Sequence, residues 1–309
     1  MTRTDISSMS REGWLRLRKS GIGGSDAGAV CGVNPYKSAL AVYQDKISED
    51  ISDDDNEAMR QGRELEEYVA KRFSEATRLK VKRSGFIYRS DEHPFMIADI
   101  DRLVIGEKAG LECKTASAYS ADKWKDGAIP ESYEIQCRHY MAVMGFTHMY
   151  IACLILGKDF IIRRIDRDPD IETAIISIEE NFWNDHIVPK VMPDPDGSRA
   201  YDEILDKYFP KRDDAEAIRL IGFDKDLSRR EELNSLIDKL ETERNEIDQR
   251  IKVYMEGTEQ AQTDDYRVSW IFTETQRLDT KRLKMEEPEL YNRYTKMTTG
   301  RRFTVRRAA

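Results

Sequence analysis

The chain has 309 residues, 39% hydrophobic and 35% charged, enough apolar material for one large domain or for a principal domain with an appendage. No apolar run nears the roughly 20 residues needed to cross a bilayer, and the opening MTRTDISSMSREGW lacks a signal peptide's apolar block, so a cytoplasmic protein without membrane contact is expected. The net charge of −8 argues against a protein that merely coats nucleic acid, although the average hides an acidic run at 48–57 (SEDISDDDNE) and a basic one at 301–307 (RRFTVRR).

In chain order, the glycine-rich RKSGIGGSDAGAVCGVNPYKS (18–38) comes first, with a short helix expected from about Asp26. RELEEYVAKRFSEATRL, from residue 63, places Leu65, Tyr68, Val69, Phe73 and Ala76 near helical spacing. Three extended segments follow, FIYRS (86–90), FMIADIDRLVI (95–105) and GLECKTA (110–116), separated by DEHP and GEKAG, and they read as an antiparallel meander. Pro130 and Gly145 bracket a helix over ESYEIQCRHYMAVMGF, after which MYIACLIL and FIIRRI read as strands joined at GKD. A helix near 170–187 closes the first part. This order predicts an α/β domain over residues 1–190 with a mixed central sheet flanked by helices.

A linker with short helices is expected over 191–224, then a helix-rich module with short strands over 225–309. In the module Leu233, Ile237, Leu240, Arg244, Ile247, Ile251 and Tyr254 step by fours and threes, a heptad-like stripe broken only by Arg244. Ser228 and Glu231 have the spacing of a capping box, and Tyr266, Val268 and Trp270 alternate as in a half-buried strand. Cys31, Cys113, Cys137 and Cys153 form no CxxC pair and read as free thiols rather than a zinc or redox motif.

The chemistry is concentrated around Glu112-Cys113-Lys114. On a strand, residues two apart share a face, so Glu112 and Lys114 point together and Cys113 points away. Asp101, with Asp99 two residues before it, lies on the strand expected to pair across GEKAG. Carboxylates so gathered suit Mg²⁺, a hard cation satisfied by one or two carboxylates, waters and a substrate phosphate, and Lys114 can then orient a water or stabilise charge on phosphorus during phosphodiester hydrolysis. An E-x-K pair also arises by chance in so charged a chain, where it marks a solvated strand face. Arg18, Ser25 and the intervening glycine-rich turn could hold a phosphate, although such a turn also serves as a plain helix cap. Its spacing does not fit an ATP-binding Walker loop.

GIGGSDAGAVCGVNPYKS, GRELEE, the IDRLV and GLECKT pair and YEIQCRHYMAVMG, in that order across residues 12–187, resemble the YqaJ-type viral recombinase nucleases, relatives of phage lambda exonuclease. The resemblance implies a restriction-endonuclease-like PD-(D/E)XK fold and magnesium-dependent 5′→3′ resection of double-stranded DNA ends, with Mn²⁺ as a substitute metal. The 3′ single strand left behind would serve a phage single-strand annealing protein. It further implies that Glu66, Asp101, Glu112, Lys114 and Gln136 are the catalytic set, with Glu66, Asp101, Glu112 and the backbone carbonyl of Cys113 on the metal and Arg18 and Ser25 on the 5′-phosphate. A homo-oligomer closed around DNA is also implied, in a bacterial host carrying phage or prophage. The family commonly reads S-x-D-G around the metal aspartate, whereas this chain has Asp99-Ile100-Asp101-Arg102, which keeps Asp99 as a second candidate ligand. A structure- or sequence-selective endonuclease using the same metal site, and a noncatalytic DNA-end binding module, are the alternative readings.

Overall fold

A computed structural model describes residues 1–51, 56–209, 211, 217–298 and 300–307; parts of the acidic run, the linker and the extreme C-terminus lie outside them. The chain divides into two units, Met1–Pro210 and Lys211–Ala309.

The first unit opens with β1 (Thr2–Asp5), α1 (Arg11–Lys19), β2 (Ile22–Gly23), α2 (Gly24–Val30) and α3 (Ala39–Ile47). Then come α4 (Glu57–Thr77), β3 (Val81–Arg83), β4 (Phe86–Arg89), β5 (Met96–Asp99), β6 (Arg102–Val104) and β7 (Ala109–Ala116). A run of 3₁₀ turns at Ala118–Gly127 leads to α5 (Glu131–Met144), β8 (His148–Ile155), β9 (Asp159–Asp166) and α6 (Pro169–Phe182). A π-type turn (Trp183–Ile187) follows, and α7 (Arg199–Tyr208) packs on α3 inside this unit, so part of the segment expected as linker belongs to the core.

The sequence reads 95–105 as one strand of a meander, but the chain breaks it at Ile100-Asp101 and the two halves join different sheets. β5 lies in a four-stranded sheet ordered β1-β4-β5-β2, where it is antiparallel to β4 and parallel to β2. β6 lies in a five-stranded sheet ordered β3-β6-β7-β8-β9. There β6 and β7 are antiparallel, with Arg102 opposite Leu111, whereas β7 and β8 run parallel over their whole length. Parallel neighbours need a long crossover, and α5 supplies it. Its start follows Pro130, and its end at Gly145 has φ of +61°, a left-handed stop that glycine adopts without steric cost.

The alternation of β7 sorts its side chains between two helices. Leu111 and Cys113 face α4 and pack with Val69, Ala70, Phe73 and, from β8, Ala152. Glu112 and Lys114 point to the other face, beneath α5, where Met149, Ile151, Cys153 and Ile155 of β8 form the larger core with Cys137, Tyr140 and Met141. A mixed sheet lies between α4 and α5, and it sets the acid–lysine strand at the centre of the domain. The four cysteines are free thiols.

The second unit holds α8 (Asp224–Met255), a hairpin of β10 (Gln260–Gln262) and β11 (Arg267–Ser269), α9 (Thr280–Glu286) and α10 (Pro288–Tyr294). α8 starts four residues before Ser228, with Phe223 at its N-cap position and no side-chain capping bond, so Ser228 and Glu231 lie inside the helix and form no capping box. Leu233, Ile237, Leu240, Ile247 and Tyr254 of the stripe are all exposed. Among the described residues no helix is long and apolar enough to cross a membrane.

Candidate active site

Glu112 is buried, and its Oε1 meets the Lys114 Nζ at 2.7 Å and accepts a hydrogen bond from Gln136 Nε2 at 2.7 Å. Lys114 also donates to Gln136 Oε1 at 2.9 Å and lies 4.7 Å from the centre of the Tyr133 ring. The Gln136 amide therefore bridges the two: an ammonium can only donate and a carboxylate only accepts, which fixes the amide's orientation. Gln136 Nε2 reaches the Tyr140 hydroxyl at 3.2 Å as well. Residues 133, 136 and 140 share one face of α5, the i, i+3, i+7 spacing of a helix laid over a strand. The other oxygen of Glu112, Oε2, is buried with no hydrogen-bond partner.

Asp101 sits where the chain crosses from β5 to β6, and its Oδ2 accepts the backbone N–H of Cys113 at 2.8 Å. Burial, reinforced by the charges of Glu112 and Glu66, raises its carboxyl pKa well above the usual range, with Lys114 and the Cys113 N–H pulling the other way. Burial likewise raises Glu112 against the opposing pull of Lys114. For Lys114 burial alone would lower the pKa, but Glu112 and Asp101 outweigh it, so the side chain stays an ammonium.

Glu66 reaches this region from α4 but is bound elsewhere: its Oε1 accepts from Arg102 Nη1 and lies 3.5 Å from Arg83 Nη2. Arg102 is itself buried, and its guanidinium also donates to Glu67 Oε2 at 2.8 Å and to the Asp101 carbonyl at 2.7 Å. Among the described residues no three acid, histidine or cysteine side chains are gathered as a ready-made metal cage. Asp99 accepts from Trp14 Nε1 at 2.9 Å, and burial raises its pKa too.

The glycine-rich segment supplies the neighbouring wall. Arg18 Nη2 donates to Ser25 Oγ at 2.5 Å, and its guanidinium stacks 4.7 Å from the Trp14 ring. A cavity of about 160 Å³ is lined by Arg18, Ser25, Trp14, Asp99, Asp101 and Tyr140 among others, so the expected phosphate contacts and the expected metal aspartate border one space. Gly24 is there for close approach, because a Cβ on it would stand 2.5 Å from the Tyr140 ring and 3.0 Å from Gln136 Cγ. Directly beneath, Asp26 is buried between Lys37 and Lys46, each 2.7 Å away. Burial alone would raise its pKa, but these lysines and Arg18 outweigh it and hold the carboxyl well below its ordinary range.

A family model for the YqaJ-like viral recombinase domain matches residues 13–147. The uncharacterised protein YqaJ of Bacillus subtilis (strain 168) is 37% identical over 304 residues, 97% of this chain and 95% of its own. The chain belongs to the YqaJ-like viral recombinase family. Among solved structures, an alkaline exonuclease (LHK-Exo) from Laribacter hongkongensis aligns with a TM-score of 0.48 and 19% identity, covering 56% of this chain and 90% of its own. A phage-related exonuclease from Haemophilus somnus 129PT aligns with a TM-score of 0.42 and 15% identity over 58% of this chain and all of its own.

Within the YqaJ-like domain, Asp101, Glu112, Lys114 and Gln136 come together, Arg18 and Ser25 meet one wall away, and Glu66 lies near enough to act on Asp101 and Glu112 by its charge but is paired to Arg102. Sequence reasoning passed over Trp14, which shares a face of α1 with Arg18 at i, i+4 spacing, the readable sign of the stacked pair. It also left Tyr133, Tyr140 and Asp26 without roles; for Asp26, flanking by lysines 11 and 20 residues downstream gives no local signal.

Proposed function

We propose that this YqaJ-like chain is a metal-dependent deoxyribonuclease that resects double-stranded DNA from its 5′ ends, leaving 3′ single strands for a phage-type annealing protein. The observation that carries the reading is the buried Glu112–Lys114–Gln136 cluster with one carboxylate oxygen unpartnered, beside an aspartate that shares a cavity with Arg18 and Ser25. An orphan buried carboxylate oxygen and two carboxyls with raised pKa values are what a hard divalent cation would relieve, so the donor set fits Mg²⁺, or Mn²⁺ in its place. Asp101, Glu112 and the Cys113 backbone carbonyl would hold it. When bound, such a cation makes a coordinated water more acidic and offsets phosphate charge.

The chain's own groups do the remaining work. Lys114, kept charged and anchored on three sides by Glu112, Gln136 and Tyr133, donates to the oxygen on which negative charge grows during attack at phosphorus. Gln136 keeps Lys114 and Glu112 at a fixed separation. The Cys113 N–H fixes the rotamer of Asp101. Arg18, steadied by the Trp14 face, and the Ser25 hydroxyl bind the terminal phosphate, whose extra charge distinguishes an end from an internal diester. The exposed stripe of α8 gives each chain an apolar face suited to a second copy, in keeping with a homo-oligomeric nuclease.

The test is digestion of 5′-labelled, 3′-labelled and covalently closed circular duplexes in Mg²⁺, with Lys114→Ala as the control. Early release of the 5′ label, inert circles and an inactive control are expected. Cleavage of circles would instead establish an endonuclease, and absence of all cleavage would leave a DNA-end binding module.

A further inference from the structure

Arg102 is about 2% exposed, yet it carries a full positive charge in a strand beside three acids. Its guanidinium donates to three protein acceptors: Glu66, Glu67 and the carbonyl of Asp101. Glu67 is a solvated partner on the outer side of α4, while Glu66 lies on the inner side and contributes to the charge felt by Asp101 and Glu112. A carboxylate with one oxygen held by a buried guanidinium has part of its charge offset and fewer lone pairs free, which makes it a poorer ligand for a metal ion, and the pairing is charge-assisted and largely shielded from water.

We propose that Arg102 is a positioning residue that acts as an internal counter-ion for Glu66, weakening this third acid as a ligand and so setting how tightly the site binds its metal. The inference rests on the metal-site reading above. With the charge of Glu66 offset, two carboxylates and a carbonyl are the strong donors left for the cation, and weaker, exchangeable binding follows. An Mg²⁺ ion that keeps several of its waters suits such a sparse donor set. The guanidinium is too well buried to be drawn off by a substrate phosphate, so the restraint persists through turnover.

The experiment is calorimetric titration of the chelator-stripped full-length chain with Mn²⁺ alone, without DNA, on the parent, Arg102→Met, Glu66→Gln and the double variant, each checked for folding by circular dichroism. Arg102→Met should tighten Mn²⁺ binding by about tenfold, the order of one charge-assisted hydrogen bond released from Glu66. Adding Glu66→Gln should cancel that tightening. An Arg102→Met variant that binds Mn²⁺ no more tightly than the parent overturns the proposal, as does tightening that persists in the double variant. Should Arg102→Met not fold, Arg102→Lys, which keeps the charge but cannot bridge the same three acceptors, reads in its place with the same sign and a smaller size. Glu112→Gln separates the two readings. If the parent binds no Mn²⁺, the metal site itself falls and this inference with it; if the parent binds and Glu112→Gln abolishes binding, failure of the Arg102 pattern overturns this inference alone.

Discussion

Replacing Gln136 by leucine removes two hydrogen bonds to charged groups while keeping the side chain's bulk: the one given to Glu112 at 2.7 Å and the one accepted from Lys114 at 2.9 Å. Hydrogen bonds to ions contribute about 1.5–3 kcal/mol each, so an upper bound is about 3–6 kcal/mol. Lys114 keeps its ion pair with Glu112 at 2.7 Å and its place over the Tyr133 ring, so its position survives in part and the loss is closer to that of a single bond. On the nuclease reading, kcat/KM for linear duplex should fall roughly 10- to 150-fold, the equivalent of about 1.5–3 kcal/mol. Glu112, left with Lys114 as its one strong partner, should make the folded protein less heat-stable as well. The assay is steady-state release of acid-soluble nucleotide from linear DNA, alongside a thermal melt. Activity within about threefold of the parent would show that the amide bridge has no part in positioning the lysine, and would refute the reasoning.

The phosphate wall predicts that duplexes with a 5′-phosphate are degraded faster than those with a 5′-hydroxyl, and that Arg18→Ala shrinks this preference by about ten- to a hundredfold when the arginine is buried against the phosphate in the complex; equal rates on both ends in the parent would sink the pocket. Because burial and its acidic neighbours raise the Asp101 carboxyl above its ordinary 3.8, the metal-free fold holds this proton more tightly than the unfolded chain and loses stability as pH rises from 3.8 through the raised value. Metal-free Asp101→Asn should therefore melt higher than the parent at pH 8, with the gap closing towards pH 4, and a gap that does not change with pH would contradict this. Leu240→Glu in the exposed stripe of α8 should lower the mass seen by light scattering if that face joins copies; an unchanged mass would assign assembly to another surface.

Much of the core was legible because its signals are local. Residues two apart on a strand share a face whatever surrounds them, so the pairing of Glu112 with Lys114 and the opposite course of Cys113 could be read directly. The helix of Gln136 announced itself through Pro130 and Gly145. What escaped depends on distance in the chain. Residues 95–105 form one stretch of strand-forming sequence with no glycine or proline, and nothing within it says that its halves pair with partners in two sheets; that is decided by β4 on one side and β7 on the other. Glu66 reads as a ligand by resemblance, and only the folded position of Arg102, 36 residues away, reveals its competing partner. The extra turn at the start of α8 escaped because the heptad pattern marks the buried or paired face of a helix, not its first residue.

The break at Ile100-Asp101 ties reactivity to the completeness of the fold. Asp101 is the knot between a sheet that contains the first strand of the chain and a sheet that contains Glu112, and its carboxylate is aimed by an N–H from the second. Neither sheet alone can set its position. A chain in which one sheet has formed and the other has not would carry all the acids and the lysine in sequence but not in register, and on the nuclease reading would leave DNA uncut. If the target is DNA, as proposed, that dependence would keep partly folded copies from cutting the chromosome of the cell that makes them.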